Sequence, residues 1–136
     1  MPIITNPNRK TMYMTMFEMI QEFNRRMSVP QTARTDEARL ELATSFIEEE
    51  WGELMDELYP VSGKIDYSKV GKELADLLYV CFSLADVLQL PIEEIYRRVH
   101  ESNMSKLGDD GKPVRNEFGK VIKGPNYKKP DLSFVK

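Results

Sequence analysis

Residues 36–58 and 67–89 each repeat apolar side chains in steps of three and four, and that periodicity commits the chain to long amphipathic helices. In the first stretch Leu40, Ala43, Ile47, Leu54 and Leu58 line one side. In the second, Tyr67, Val70, Leu74, Leu77, Cys81, Leu84 and Leu88 form a narrow seam, with Cys81 expected among the buried residues. Asp36 and Glu37 suit the positive end of the first of these helices, and "YPVSGK" breaks it. A shorter helix is predicted over 11–27, where Met12, Met16, Met19, Ile20, Phe23 and Met27 recur at helical spacing. That methionine stripe reads as ordinary core, the alternative being a face turned to a partner subunit or ligand. A fourth helix is predicted over 91–106, with Pro91 at its start and Glu93 and Glu94 in its first turn.

Residues 1–10 read as an extended lead-in, and "SVPQTART", 28–35, as a loop around Pro30. Beyond the fourth helix the chain is rich in Gly, Pro and Lys. Two short extended pieces, near 112–115 and 120–123, are expected to pair across "NEFG". With 136 residues and no repeat or low-complexity tract, the expectation is a single all-α domain. It comprises a four-helix core over about 11–106 and a basic loop or hairpin tail over 107–136.

Charge is distributed unevenly along this frame. Glu48, Glu49, Glu50, Glu53, Asp56 and Glu57 crowd one helix, and no lysine or arginine occurs between Arg39 and Lys64. From Lys106 to Lys136 the balance reverses, with eight Lys/Arg against Asp109, Asp110, Glu117 and Asp131, so 8 − 4 = +4. The net charge of −3 argues against general affinity for nucleic acid or an anionic membrane. The most apolar stretch, 77–92, is interrupted by Asp86 and falls short of the ~20 residues that span a bilayer. One cysteine and no leader-like N-terminus fit a cytoplasmic protein.

At about 100° per residue, Glu50, Glu53 and Glu57 fall on one flank of their helix's apolar stripe, and Glu48, Glu49 and Asp56 point further outward. Glu73 and Asp76 lie on a flank of the next helix. If the two helices pack antiparallel, Glu50/Glu53 and Glu73/Asp76 face each other. Four carboxylates converging at a half-buried seam repel one another unless protonated or bound to cations. An all-oxygen donor set without His or Cys selects a hard ion, Mg²⁺ or Mn²⁺, over zinc. The alternative is an ordinary solvated face, with Lys69–Glu73 and Lys72–Asp76 as surface pairs. Other candidates are weaker. The segment around Gly108, Gly111 and Lys112 lacks the Ser/Thr of a phosphate loop, "DDGKPVRNEFGK" fails the spacing of a calcium loop, and His100 reads as a surface residue.

"EEEWGEL" followed by "KELADLLYV" resembles the EExxE…ExxD signature of the MazG-like all-α nucleoside triphosphate pyrophosphohydrolases, a group that includes phosphoribosyl-ATP pyrophosphohydrolase. "MIQEFNRRM", "ARLELATSFIEEE", "VHESNMSKL" and "GKVIKGPNYKKPDL" are similar to single-domain members, some of them phage-encoded, so the resemblance runs from about 17 to 132. It implies a helical bundle that assembles as a homodimer or homotetramer. It also implies Mg²⁺-dependent cleavage between the α and β phosphates of a nucleotide, with Mn²⁺ able to substitute. By position, Glu50, Glu53, Glu73 and Asp76 are implied metal ligands. Glu49, the first acid of the motif, is implied to bind a further ion or to orient the attacking water. Asn103 and Lys106 match positions that contact sugar and phosphates, and Tyr127 and Lys128 match a tail that closes over them. Asn24 stands where many relatives carry a histidine, which bears on base preference.

The expected activity is hydrolysis of a (d)NTP to the monophosphate and pyrophosphate, with a lean toward dGTP or GTP that rests on the phage relatives alone. Phosphoribosyl-ATP hydrolysis is the alternative within the superfamily. A non-catalytic helical module that oligomerises or binds a partner through its Met-rich helix is the alternative of another class. Metal-dependent release of pyrophosphate separates it from the first two.

Overall fold

Side-chain caps start three of the helices where the sequence places breakers. In the computed structural model, which describes residues 14–136, the Thr15 hydroxyl accepts from the Glu18 N–H at 3.1 Å and opens α1, Met16–Arg26. Asp36 Oδ1 accepts from the Arg39 N–H at 3.2 Å and opens α2, Glu37–Leu58. Asp66 Oδ1 accepts from the Ser68 N–H and hydroxyl, at 3.0 and 2.7 Å, and opens α3, Tyr67–Val87. These two bonds hold the Asp66 carboxyl below its usual range. Pro91 begins α4, Ile92–Met104, which has Glu93 and Glu94 in its first turn but no side-chain cap.

These four helices, with no strand, are the regular elements among the described residues, so the architecture is all-α as expected. The lead-in expected over 1–10, and the positions of Met12 and its neighbours, lie outside the described residues.

The chain divides into two compact units, one running to Leu90 and the other from Pro91 to Lys136. In the first unit, α3 packs against both α2 and α1. Phe17 of α1 meets Phe82 at 6.3 Å between ring centroids, and Phe23 meets Tyr79 edge-on at 5.5 Å. These contacts set the phase of both helices. The buried stripe of α1 is Phe17, Ile20 and Asn24, and Met16, Met19, Phe23 and Met27 are exposed, so the methionine stripe is not the core it was read as. Cys81 is likewise exposed, against the expectation from the seam, because α1 engages the Tyr79–Phe82 flank of α3.

α1 and α3 end alike. Ser28 and Gln89 adopt left-handed φ of 56° and 53°. The N–H one residue further on reaches back into the last turn, Val29 to the Asn24 carbonyl at 2.8 Å and Leu90 to the Ala85 carbonyl at 2.9 Å. The 28–35 loop is then stitched to the end of α3. Gln31 donates to Asp86 at 2.9 Å, Gln89 donates to the Gln31 carbonyl at 2.8 Å, and Arg34 donates to the Leu88 carbonyl at 2.6 Å. An arginine on a C-terminal carbonyl also suits the negative end of the helix.

In the second unit the tail is tied to α4 by serines. Ser102 Oγ donates to the Lys128 carbonyl at 2.7 Å, and the Lys128 N–H donates to Ser105 Oγ at 2.9 Å. Arg98 donates to the Asp131 carbonyl at 2.7 Å and lies 4.3 Å over the Phe134 ring. The two extended pieces pair as expected. Ile122 donates to the Val114 carbonyl at 2.8 Å, with Arg115 bridged to Val121 across a turn that Gly119 closes at φ 78°. Gly124 permits a close crossing, since a Cβ there would lie 2.8 Å from the Lys106 carbonyl oxygen.

Candidate functional site

Packing α2 on α3 brings acids from both helices to one point. Glu50, Glu73 and Asp76 are half-buried, and each offers a carboxylate oxygen within 4.8 Å of the others'. Glu50 Oε2 and Glu73 Oε2 are buried without any hydrogen-bond partner. An orphaned buried oxygen carries a desolvation penalty, so two of them aimed at one cluster need an external explanation. Glu53 lies one turn beyond Glu50 and stays exposed, yet its carboxyl is raised above its usual value. The Glu50 charge is the main cause, with the neighbouring Glu73 carboxyl and desolvation adding to it.

The cation the structure itself supplies is Lys72, at 2.7 Å from Asp76 and 3.2 Å from Glu73. Its ammonium is pushed well above the usual lysine range, by the hydrogen bond to Asp76 first and that to Glu73 second. Of the surface pairs weighed as an alternative, Lys72–Asp76 therefore exists. It does not complete the site, because the orphaned oxygens are on Glu50 and on the far side of Glu73, whose Oε1 is the atom facing Lys72. The donor chemistry fits a hard divalent cation, with carboxylates from two helices, unpartnered oxygens and mutual repulsion among the acids.

The remaining candidates are distributed as follows. Glu49 is exposed on α2. Asn24 is 3% exposed and already engaged, its Nδ2 donating to Asp86 Oδ2 at 2.7 Å and to Ser83 Oγ at 3.3 Å. In the second unit Asn103 is exposed on α4, and Lys106 is half-buried just past its end. Tyr127 is half-buried with Lys123 Nζ 4.7 Å over its ring. Lys128 is held by its backbone, as described above, and its side chain is exposed.

Asp86 and Gln31 were not among the sequence candidates. Asp86 is 3% exposed, and its two oxygens accept from Asn24 and Gln31. The signal available was its position as the one acid inside the most apolar stretch of the chain. Asn24, Gln31 and Asp86, together with Gln21, Arg25 and Val29, line a cavity of about 380 Å³ in the first unit.

A family model described as phosphoribosyl-ATP pyrophosphohydrolase matches residues 14–103, which contain α1 to α3, all but the last residue of α4 and all of the clustered carboxylates. No curated protein matches the chain.

Proposed function

Because the chain belongs to the phosphoribosyl-ATP pyrophosphohydrolase family, and so is a nucleotide pyrophosphohydrolase, we propose that it hydrolyses a (d)NTP to the nucleoside monophosphate and pyrophosphate with Mg²⁺ as cofactor. The carrying observation is the convergence of Glu50, Glu73 and Asp76 within 4.8 Å, with buried oxygens of Glu50 and Glu73 left unpartnered. Glu50, Glu53, Glu73 and Asp76 would hold the metal, and Mn²⁺ would substitute because it accepts the same oxygen donors. A divalent ion held there supplies Lewis acidity toward phosphate oxygens and toward water.

The chain's own groups do the rest by position and charge, since phosphoryl chemistry asks little of a side-chain nucleophile. Glu49, exposed beside the cluster on α2, orients the attacking water. Lys106 and Lys128 supply charge-assisted donors to phosphate oxygens, Asn103 contacts the sugar, and Tyr127 adds a hydroxyl or a stacking face. Asn24 stands at the base end of the site, and dGTP or GTP is the proposed substrate. The whole chain serves as one pyrophosphohydrolase domain.

Phosphoribosyl-ATP remains a second reading, favoured by the description of the matching family. Assembly as a homodimer or homotetramer is supported by the exposed apolar side chains Met16, Met19, Phe23, Leu74, Leu78 and Tyr79 of α1 and α3. No single described helix is long and apolar enough to cross a membrane. A cytoplasmic setting is proposed on the single cysteine.

The test is a panel of the eight canonical (d)NTPs and phosphoribosyl-ATP with Mg²⁺, products being identified by chromatography. Monophosphate plus pyrophosphate from a (d)NTP supports the reading. Turnover of phosphoribosyl-ATP alone replaces it with the second, and no metal-dependent pyrophosphate from any substrate rejects both.

A further inference from the structure

Asp86 is a carboxylate placed where burial and the helix dipole both oppose its charge. It sits in the last turn of α3, the negative end of the helix dipole, and is 3% exposed. Its side-chain donors are the neutral amides of Asn24 (2.7 Å) and Gln31 (2.9 Å), one on each oxygen. Burying a charge on neutral partners alone is expensive. The expense is explained if the carboxylate reads a ligand, and Asp86 lines the cavity of about 380 Å³, a size usual for a small-molecule site.

We propose that Asp86 is the specificity-determining residue of the substrate site and that it reads the paired N–H donors of a guanine. This rests on the nucleotide reading above and names the residue that reads the base. Each carboxylate oxygen retains a further acceptor site after its amide bond. Guanine presents two adjacent donors, N1–H and the 2-amino group. Adenine and cytosine place a ring-nitrogen acceptor beside their amino group, and uracil and thymine flank one N–H with two carbonyls, so each sets a lone pair against the carboxylate. Arg25 and Gln21 line the same cavity and are the donors that suit guanine O6 and N7. Asn24 is thereby a positioning residue. Its amide nitrogen donates to both Asp86 and Ser83, which holds the carboxylate's orientation. Asp76 and Asp86 lie on one helix, separated by ten residues, about 15 Å of axial rise. A nucleoside with its phosphates at the carboxylate cluster spans that gap once side-chain and metal reach are included.

Calorimetry with GMP, IMP and AMP in Mg²⁺ tests this, with dGTP and dATP turnover measured in parallel. Wild type is expected to bind GMP at least ~10-fold more tightly than AMP, as losing bonds to a buried charged group requires. IMP, which lacks only the 2-amino group, is expected in between, and that comparison needs no substitution. In Asp86→Asn, with its helical signal retained, the GMP preference should disappear. Equal binding of the three by wild type, or a GMP preference intact in Asp86→Asn, overturns the proposal. Turnover without base preference sinks it and leaves the pyrophosphohydrolase reading standing. Base-selective binding without pyrophosphate release sinks that reading and leaves Asp86 as the reader of the base.

Discussion

α3 carries two acidic places that differ in how their oxygens are satisfied. At Glu73 and Asp76 the acids meet Glu50 across the helix pair, two buried oxygens have no partner, and the cation present is Lys72 on the same face. Three turns on, Asp86 is more deeply buried, yet both of its oxygens are matched by amides from α1 and the 28–35 loop. The first arrangement is frustrated and awaits charge from outside. The second is complete as a structure and still open as an acceptor. The difference teaches that burial alone does not mark a metal site. What marks it is burial combined with unsatisfied acceptors and mutual repulsion.

The largest expected effect breaks the frustrated site. Glu50→Gln or Asp76→Asn is expected to lower kcat/KM by at least ~10³, about 4 kcal/mol of transition-state stabilisation, while the far-UV helical signal stays. The metal-free melting temperature of Glu50→Gln should rise, because one source of repulsion is gone. The matched site should respond in the opposite sense. Asp86→Leu strands the Asn24 and Gln31 amides, and urea unfolding is expected to show a loss of ~1–3 kcal/mol. Equal destabilisation by the two kinds of substitution would erase the distinction.

A smaller effect concerns Lys72. Lys72→Met removes the ammonium that Mg²⁺ must displace, so the metal-free protein should melt lower and the rise in melting temperature at a fixed Mg²⁺ concentration should grow. An unchanged rise would show that Lys72 and the metal do not compete. The smallest effect is at Glu94, an exposed acid paired with arginines. Arg97 first and Arg98 second hold its carboxyl at about 2, below its ordinary 4.5. A depressed carboxyl adds stability above its unfolded pKa and loses it as pH falls through the folded one. Wild type should therefore lose more melting temperature than Glu94→Gln between pH 4.5 and about 2.

The helices were legible because apolar spacing, Asp36 and Pro91 act locally, and the boundaries of α2, α3 and α4 fall within two residues of their expected places, whereas α1 starts at Met16, where Thr15 caps it, and not at 11. The shared flank of the α2 and α3 acids was legible for the same reason, and Glu50, Glu73 and Asp76 meet there, while Glu53, expected with them, stays exposed. The phase of α1 was not. Met16 and Phe17 are neighbours in sequence, and only contact with Phe82 decides which of them is buried. Cys81 was misread for a related reason, because periodicity shows that α3 has an apolar seam but not which flank α1 covers. The Asp86 network escaped because Asn24 and Gln31 lie 62 and 55 residues away, and Gln31 reaches it through a loop whose path no periodicity describes.

The account stands most directly on metal binding at the α2–α3 acids. Titration calorimetry of wild type with Mg²⁺, in the presence of a non-hydrolysable triphosphate, should show saturable binding that Glu50→Gln loses by at least ~10-fold, about 1.4 kcal/mol. Absence of saturable binding in wild type, with or without the nucleotide, would contradict it, and so would undiminished binding in Glu50→Gln.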